Sequence, residues 1–402
     1  MNEQNKDFLV VTVSGRDRPG IAAALTKVME QYNVDVVDIE QASLQDLLGL
    51  SFLLDLSQST SSSDSVIKDL LFEASRFDLT LNFRLVTPDE VQAVNRKKLF
   101  VLTFFGSTRP LAALAAVLGE HKVNIELVTS RTKLRDRCVE MVVNVDKVRS
   151  LRRLKEDIMA KSKELNFDLA MQAMEAYRKN KRLVFFDLDR TLVDMEIIDE
   201  MAKEAGVASE VARVTEKAMR GDLDFEESLV HRVALLKGLT VEKMEKIRDN
   251  LRFTQGAEDV TATLKKFGFK LGLVTGGFMF FAEYLKAKLN LDFAFANTLE
   301  IKNGVLTGKV LGQVLDAAGK ARVVNHVARD EGILLDQTVA VGDGANDALM
   351  LGQVGLGIAY NAKPALNRVA SVSLGHTRLM NILYLLGITE EDVDMALGRA
   401  EV

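Results

Sequence analysis

The chain has 402 residues, 48% hydrophobic and 27% charged, with a net charge of −5. That length predicts about two to four domains, the composition excludes a largely disordered chain, and the mild acidity speaks against a nucleic-acid-binding surface. The one cysteine, Cys138, excludes an intrachain disulfide and a cysteine metal site and points to a reducing compartment. The opening "MNEQNKDF" has neither a basic nor an apolar signal region. No apolar run reaches the roughly 18–20 residues of a membrane span. A cytoplasmic protein without a membrane partner is expected.

In chain order, the first half repeats itself. "FLVVTVSGRDRPGIAAALTKVMEQYNVDVVDIE" begins at Phe8 and "FVLTFFGSTRPLAALAAVLGEHKVNIE" at Phe100. Thr12, Gly15, Arg18 and Pro19 have counterparts in Thr103, Gly106, Arg109 and Pro110. Each copy reads strand, turn, helix, strand, with an Arg-Pro pair opening the helix, where proline is tolerated. Further strands such as "LGLSFLLDL" and "FDLTLNFRLV" complete a βαββαβ pattern. These copies resemble ACT domains, small ferredoxin-like regulatory modules that often bind amino acids. The expected spans are 1–90 and 97–174. The resemblance implies an effector site at a domain–domain interface around "DRPGI", with Asp17 and Gly20 as candidate contacts. In the second copy Leu111 replaces that glycine and the helix is expected to be about two residues shorter, which puts ligand binding there in doubt.

After a polar, basic linker, "MEAYRKNKR" (174–182), the pattern changes. Short apolar runs, "LVFF", "LGLVTGG", "TVAVGDG" and "GLGIAY", alternate with helical stretches. That alternation predicts an α/β fold with a parallel sheet over about residues 181–388. Chemistry in such sheets gathers beyond the carboxyl ends of the strands. "LVFF" ends in Asp187 and Asp189, "LGLV" in Thr275, Gly276 and Gly277, and "VAVG" in Asp343, Asn346 and Asp347, while Lys320 lies in "DAAGKARVV". Acids of this kind suit Mg²⁺, which prefers oxygen ligands. A hydroxyl, backbone N–H groups and a lysine suit a phosphoryl group. An aspartate beside a metal is a competent nucleophile, and a second one two residues on can serve as general acid and base.

The motifs "DLDRT", "VTGG", Lys320 and "GDGAND", in that order, resemble those of the haloacid dehalogenase-like phosphohydrolases. The resemblance implies a Rossmannoid core. It also implies Asp187 as nucleophile, Asp189 as acid–base and Lys320 as the phosphate-neutralising cation. Mg²⁺ would be held by Asp187, Asp189 and Asp343, with Asp343 expected over Asp347 as the direct ligand. Thr275, Gly276 and Asn346 would contact substrate.

About 80 mostly helical residues separate the first two motifs, so a cap is expected at about 196–256. "MRGDLDFEESLVHRVALLKGL" resembles the cap of phosphoserine phosphatases. The match implies Glu196 for a substrate ammonium, Arg232 for its carboxylate, and Met219 and Phe225 packing around it. The expected substrate is O-phospho-L-serine, with L-serine as product and possible effector near Gly20, in a homodimer. Arginine suits a carboxylate because it offers a two-point fork. Thr275 stands where many of that family have serine and keeps the hydroxyl. The rival readings are phosphotransfer to another alcohol such as homoserine, a serine-sensing protein without activity, and a phosphoprotein phosphatase.

Overall fold

A computed structural model describes residues 8–94, 97–106, 108–132, 137–362, 366, 370–375 and 378–399. The chain forms two compact units that divide between Lys97 and Lys98. Among the described residues no helix is long and apolar enough to cross a membrane.

The first unit runs β1 (Phe8–Arg16), α1 (Ile21–Gln31), β2 (Asp35–Leu44), β3 (Leu47–Asp55), α2 (Ser63–Arg76), β4 (Thr80–Val86) and a short α3 (Pro88–Val94). Its antiparallel sheet has the order β2-β3-β1-β4. Period-two alternation puts Leu48, Leu50, Phe52 and Leu54 of β3 on one face. There they pack with Ile21 and Leu25 of α1 and Val66 and Leu70 of α2. The opposite face is open, with Val37, Ile39 and Phe83 each about half exposed.

The second unit begins with the same topology: β5 (Leu99–Phe105), α4 (Thr108–Glu120), β6 (Asn124–Ser130), β7 (Cys138–Asn144), α5 (Leu151–Leu165) and β8 (Leu169–Ala173), in the order β6-β7-β5-β8. One expectation is corrected here. Helix α4 has 13 residues and α1 only 11. Gly20, at φ 95°, breaks the chain before α1. With Leu111 in its place the second helix starts four residues earlier, taking Arg109 and Pro110 into its first turn.

The large sheet continues beyond this module. Its order is β12-β11-β10-β9-β13-β14-β15-β8-β5-β7-β6. The added strands are β9 (Leu183–Phe186), β10 (Lys270–Phe278), β11 (Phe293–Lys302), β12 (Val305–Leu311), β13 (Thr338–Gly342), β14 (Leu356–Tyr360) and β15 (Val372–Leu374). From β11 through β15 neighbouring strands are parallel. β15 meets β8 antiparallel, so the ferredoxin-like module is hydrogen-bonded into the parallel sheet. The face left open in the first unit is covered here: Phe105, Cys138 and Ala170 belong to the main core, and the Phe105 and Tyr384 rings lie 6.4 Å apart. Within the basic stretch expected as a linker, Arg178 and Lys181 are buried while most of the other residues stay exposed. Arg178 is buried against Glu140, which also accepts from Arg131. A buried carboxylate requires such cations.

Helices α6 (Ile197–Ala205), α7 (Ala208–Arg220), α8 (Phe225–Leu235) and α9 (Val241–Asp249) are inserted after β9. The remaining helices are α10 (Ala257–Lys266), α11 (Met279–Lys288), α12 (Ala317–Asp330), α13 (Ala348–Gln353), α14 (Asn381–Leu385) and α15 (Glu390–Ala396). Val393 of α15 is buried and Arg399 pairs with Asp259 of α10, so the packed core extends past residue 388.

Candidate active site

Strand β9 is wholly buried and lies between β10 and β13. The chain leaves β9 for β10 on one side and later returns to β13 on the other. That reversal makes the carboxyl end of β9 a topological switch point, where a crevice opens. Asp187 follows β9 directly, with its N–H donating to Val341 O of β13 at 2.9 Å. Asp343 follows β13, and Thr275 lies within β10.

Asp187, Asp343 and Asp347 are all buried, and each offers an oxygen within 4.8 Å of the others. Lys320, fully buried on α12, donates to Asp187 Oδ1 and to Asp347 Oδ1, both at 2.8 Å. Burial alone would lower the ammonium's pKa, but the carboxylates of Asp187 and Asp347 overcome it and hold it above the ordinary lysine value. Asp347 is pushed up to about 6 by burial and by Asp187, with Lys320 pulling the other way. Its Oδ2 accepts from Gly344 N–H at 3.1 Å, so both of its oxygens have protein partners. Gly342 is needed beneath it, because a Cβ there would run into the Asp347 carboxylate.

Asp189 lies outside that cluster. Its Oδ1 accepts from Ile197 N–H at 2.8 Å, at the start of α6. Burial, then the charges of Glu196 and Asp187, raise its pKa well above the ordinary carboxylate value. Two carboxyl groups two residues apart thus have separate environments: one against a lysine, the other favouring its protonated form.

Thr275 is buried, and its Oγ accepts from Gly277 N–H at 2.9 Å, which leaves the hydroxyl proton free to donate elsewhere. A Cβ on Gly277 would stand 3.2 Å from both Asp189 Oδ2 and Thr275 Oγ, so the first two motifs face each other here. Asn346 lies half-buried in the turn between Asp343 and Asp347.

From the cap, Phe225 opens α8 behind the capping box of Asp224 and Glu227. Its ring lies over Gly276. Arg232, about two turns further along α8, donates from Nε to Ser228 O at 3.3 Å. Burial lowers its pKa, while Glu196, Asp199 and Asp189 act in the opposite sense. Glu196 stands at the N-cap position of α6 without a side-chain capping bond and accepts from Arg190 Nε at 3.0 Å. Met219, near the end of α7, is 71% exposed and is not drawn into this group. In the first unit, Asp17 accepts from Ser43 Oγ at 3.1 Å. A Cβ on Gly20 would meet nothing within 4 Å, so its left-handed φ, and not crowding, is what calls for glycine.

Three features of the site were not anticipated. Asn297 of β11, almost fully buried, donates from Nδ2 to Gly276 O at 2.8 Å and accepts Leu315 N–H at 2.7 Å, which fixes the second-motif loop. The polar asparagine in the apolar stretch "FAFANTLE" was the available signal. The others are the role of Asp347 as a partner of Lys320 and the Arg190–Glu196 pair.

Comparison with known proteins agrees with this geometry. The haloacid dehalogenase-like hydrolase family model matches residues 184–352 and the ACT domain model residues 7–84. A phosphoserine phosphatase of Streptomyces coelicolor is 39% identical over 393 residues, covering 96% of this chain and 94% of that protein. Phosphoserine phosphatase SerB2 of Mycobacterium tuberculosis is 36% identical over 398 residues, covering 97% and 96%. The unliganded crystal structure of a probable phosphoserine phosphatase from Vibrio cholerae shares 32% identity and a TM-score of 0.56, over 76% of this chain and 90% of that one. With an ACT domain, a haloacid dehalogenase-like core and relatives that align over nearly its whole length, this chain is a phosphatase and belongs to the phosphoserine phosphatase family.

Proposed function

We propose that the enzyme hydrolyses O-phospho-L-serine to L-serine and phosphate. What supports the substrate assignment is that two opposite charges, Glu196 and Arg232, lie near enough to act on one another and that each also lies within electrostatic reach of Asp189. An amino acid brings one cation and one anion, and an enclosed site must pair both. Glu196 takes the ammonium and Arg232 the carboxylate.

The oxygen donors of Asp187, Asp343 and Asp347 fit a hard divalent cation. Lys320 and Gly344 engage both oxygens of Asp347, and Asp187 and Asp343 are the side chains proposed to hold Mg²⁺. When bound, Mg²⁺ supplies positive charge to the phosphoryl oxygens. In the first step a carboxylate oxygen of Asp187 attacks phosphorus and the bond to the serine oxygen breaks. The proton of Asp189 passes to that leaving oxygen. In the second step Asp189, now ionised, takes a proton from water. The water oxygen attacks phosphorus, and the bond to Asp187 breaks. Lys320, Thr275 Oγ–H and Gly276 N–H stabilise the transferring group, and Phe225 on Gly276 helps exclude water.

The test uses Glu196→Ala and Arg232→Ala on phosphoserine and on an aryl phosphate. Phosphoserine hydrolysis should fall far more than aryl phosphate hydrolysis. Equal losses on both would reject the amino-acid reading. Asp187→Asn should abolish turnover with the fold retained.

The ACT domain supports amino-acid binding outside the catalytic site. L-serine is the proposed effector, bound near Asp17 and Gly20 at an interface of two ACT-like domains in a homodimer. The comparison is serine inhibition of the full chain, of Gly20→Leu and of a chain starting at Lys98. A cut at Lys181 would remove β8 and bare the edge of β15. A single inhibition curve for all three proteins would reject this regulation.

A further inference from the structure

Glu196 is already engaged by a cation of the protein itself. Arg190 Nε lies 3.0 Å from Glu196 Oε1. Arg190 is the residue between Asp189 and Thr191, and it holds a left-handed conformation with φ 56°. A large side chain enters that region only at a cost. The loop fixes it through Arg190 N–H to Met195 O at 3.3 Å and the bridge between Asp189 and Val193. The strained backbone therefore sends a guanidinium toward the carboxylate six residues on.

The two arginines near Glu196 are held differently. Arg232 is half-buried and tethered to Ser228 O. The Arg190 side chain is 55% exposed, that of Glu196 35%, and they meet through one nitrogen and one oxygen. A one-point pair open to water is weak and exchangeable. A cavity of about 730 Å³ lies alongside, lined by Arg190, Glu196, Asp199 and Arg252 among others, and gives the displaced guanidinium room beside another acid, Asp199.

We propose that Arg190 is a positioning residue that competes with the substrate's ammonium for Glu196 and so sets how strongly the enzyme prefers an amine-bearing phosphomonoester. This inference rests on the reading of Glu196 as the ammonium ligand. An entering amine must displace Arg190 or share its carboxylate, and the cost appears in KM. A phosphomonoester without the amine leaves the pair in place.

The experiment compares kcat/KM for O-phospho-L-serine with that for 2-carboxyethyl phosphate, the same molecule without its amine. Full-length wild type, Arg190→Ser, Arg190→Lys and Glu196→Gln are assayed. In Arg190→Ser the ratio should rise about two- to fivefold, the range of one exposed ion pair, through a lower KM for phosphoserine. Arg190→Lys should stay nearer wild type, and Glu196→Gln should lower the ratio. If Glu196→Gln lowers the ratio while Arg190→Ser leaves it flat or lowers it, competition by Arg190 is wrong and the substrate reading stands. If Glu196→Gln leaves the ratio unchanged, Glu196 does not read the amine, and both the inference and that part of the substrate reading fall.

Discussion

Gly276 makes room for the ring of Phe225: a Cβ at position 276 would stand 2.7 Å from Phe225 Cζ. The cap therefore closes on the second motif by a contact that only glycine permits. Gly276→Ala should displace Phe225 and lower kcat/KM by up to about 10²-fold, as expected for an ångström-scale misplacement. In a Phe225→Ala background the same substitution should cost much less. Steady-state kinetics of the four proteins measures this coupling.

Lys320 separates two buried carboxylates, Asp187 and Asp347. Lys320→Met leaves them facing each other uncompensated. A stability loss of about 3–5 kcal/mol is expected, read by urea unfolding without metal. Added Mg²⁺ should restore part of it by neutralising the same charges.

Asp189 favours its protonated form and is the proposed acid and base. Asp189→Asn should reduce turnover by about 10²–10⁴-fold. Phosphoenzyme should accumulate if the variant attacks substrate faster than it hydrolyses the intermediate. Acid-quenched single-turnover assays detect it as protein-bound phosphate.

Asn297 supplies both a donor and an acceptor to buried main-chain groups. Asn297→Leu leaves Gly276 O and Leu315 N–H without those partners, at a cost of about 1–3 kcal/mol each. Thermal unfolding should show the loss, and turnover should fall as the second-motif loop loosens.

Burial, then the neighbouring Glu140, pushes the Cys138 thiol up to about 12. A thiol is reactive only as thiolate, so at pH 8 the folded protein should resist iodoacetamide. Denatured protein should be alkylated at once, and mass spectrometry distinguishes the two states.

Much of the architecture was legible as local pattern. Alternation along "LGLSFLLDL" marks a strand with one buried face, and the apolar runs of β9, β10, β13 and β14 mark a parallel core. Asp187, Thr275 and Asp343 were readable because each directly follows, or lies within, such a run. Helix α4 was misjudged because its start depends on one backbone angle: the left-handed Gly20 delays α1, and no equivalent break delays α4.

The sequence by itself determined where Asp187, Thr275 and Asp343 fall relative to their strands, since strand period and turn chemistry are properties of neighbours in the chain. Only the tertiary structure decided their partners. Lys320 reaches Asp187 across 133 residues and Asp347 across 27, and Asn297 reaches Gly276 across 21. No periodicity encodes such pairings, because they follow from how strands order themselves in the sheet. The same holds for β8 and β15, whose pairing builds the second ferredoxin-like module into the catalytic sheet. It buries Phe105, Cys138 and Ala170, on a face that its twin in the first unit leaves open. Two similar strand patterns thus acquire different surroundings, because burial depends on what packs against a face and not on the face alone.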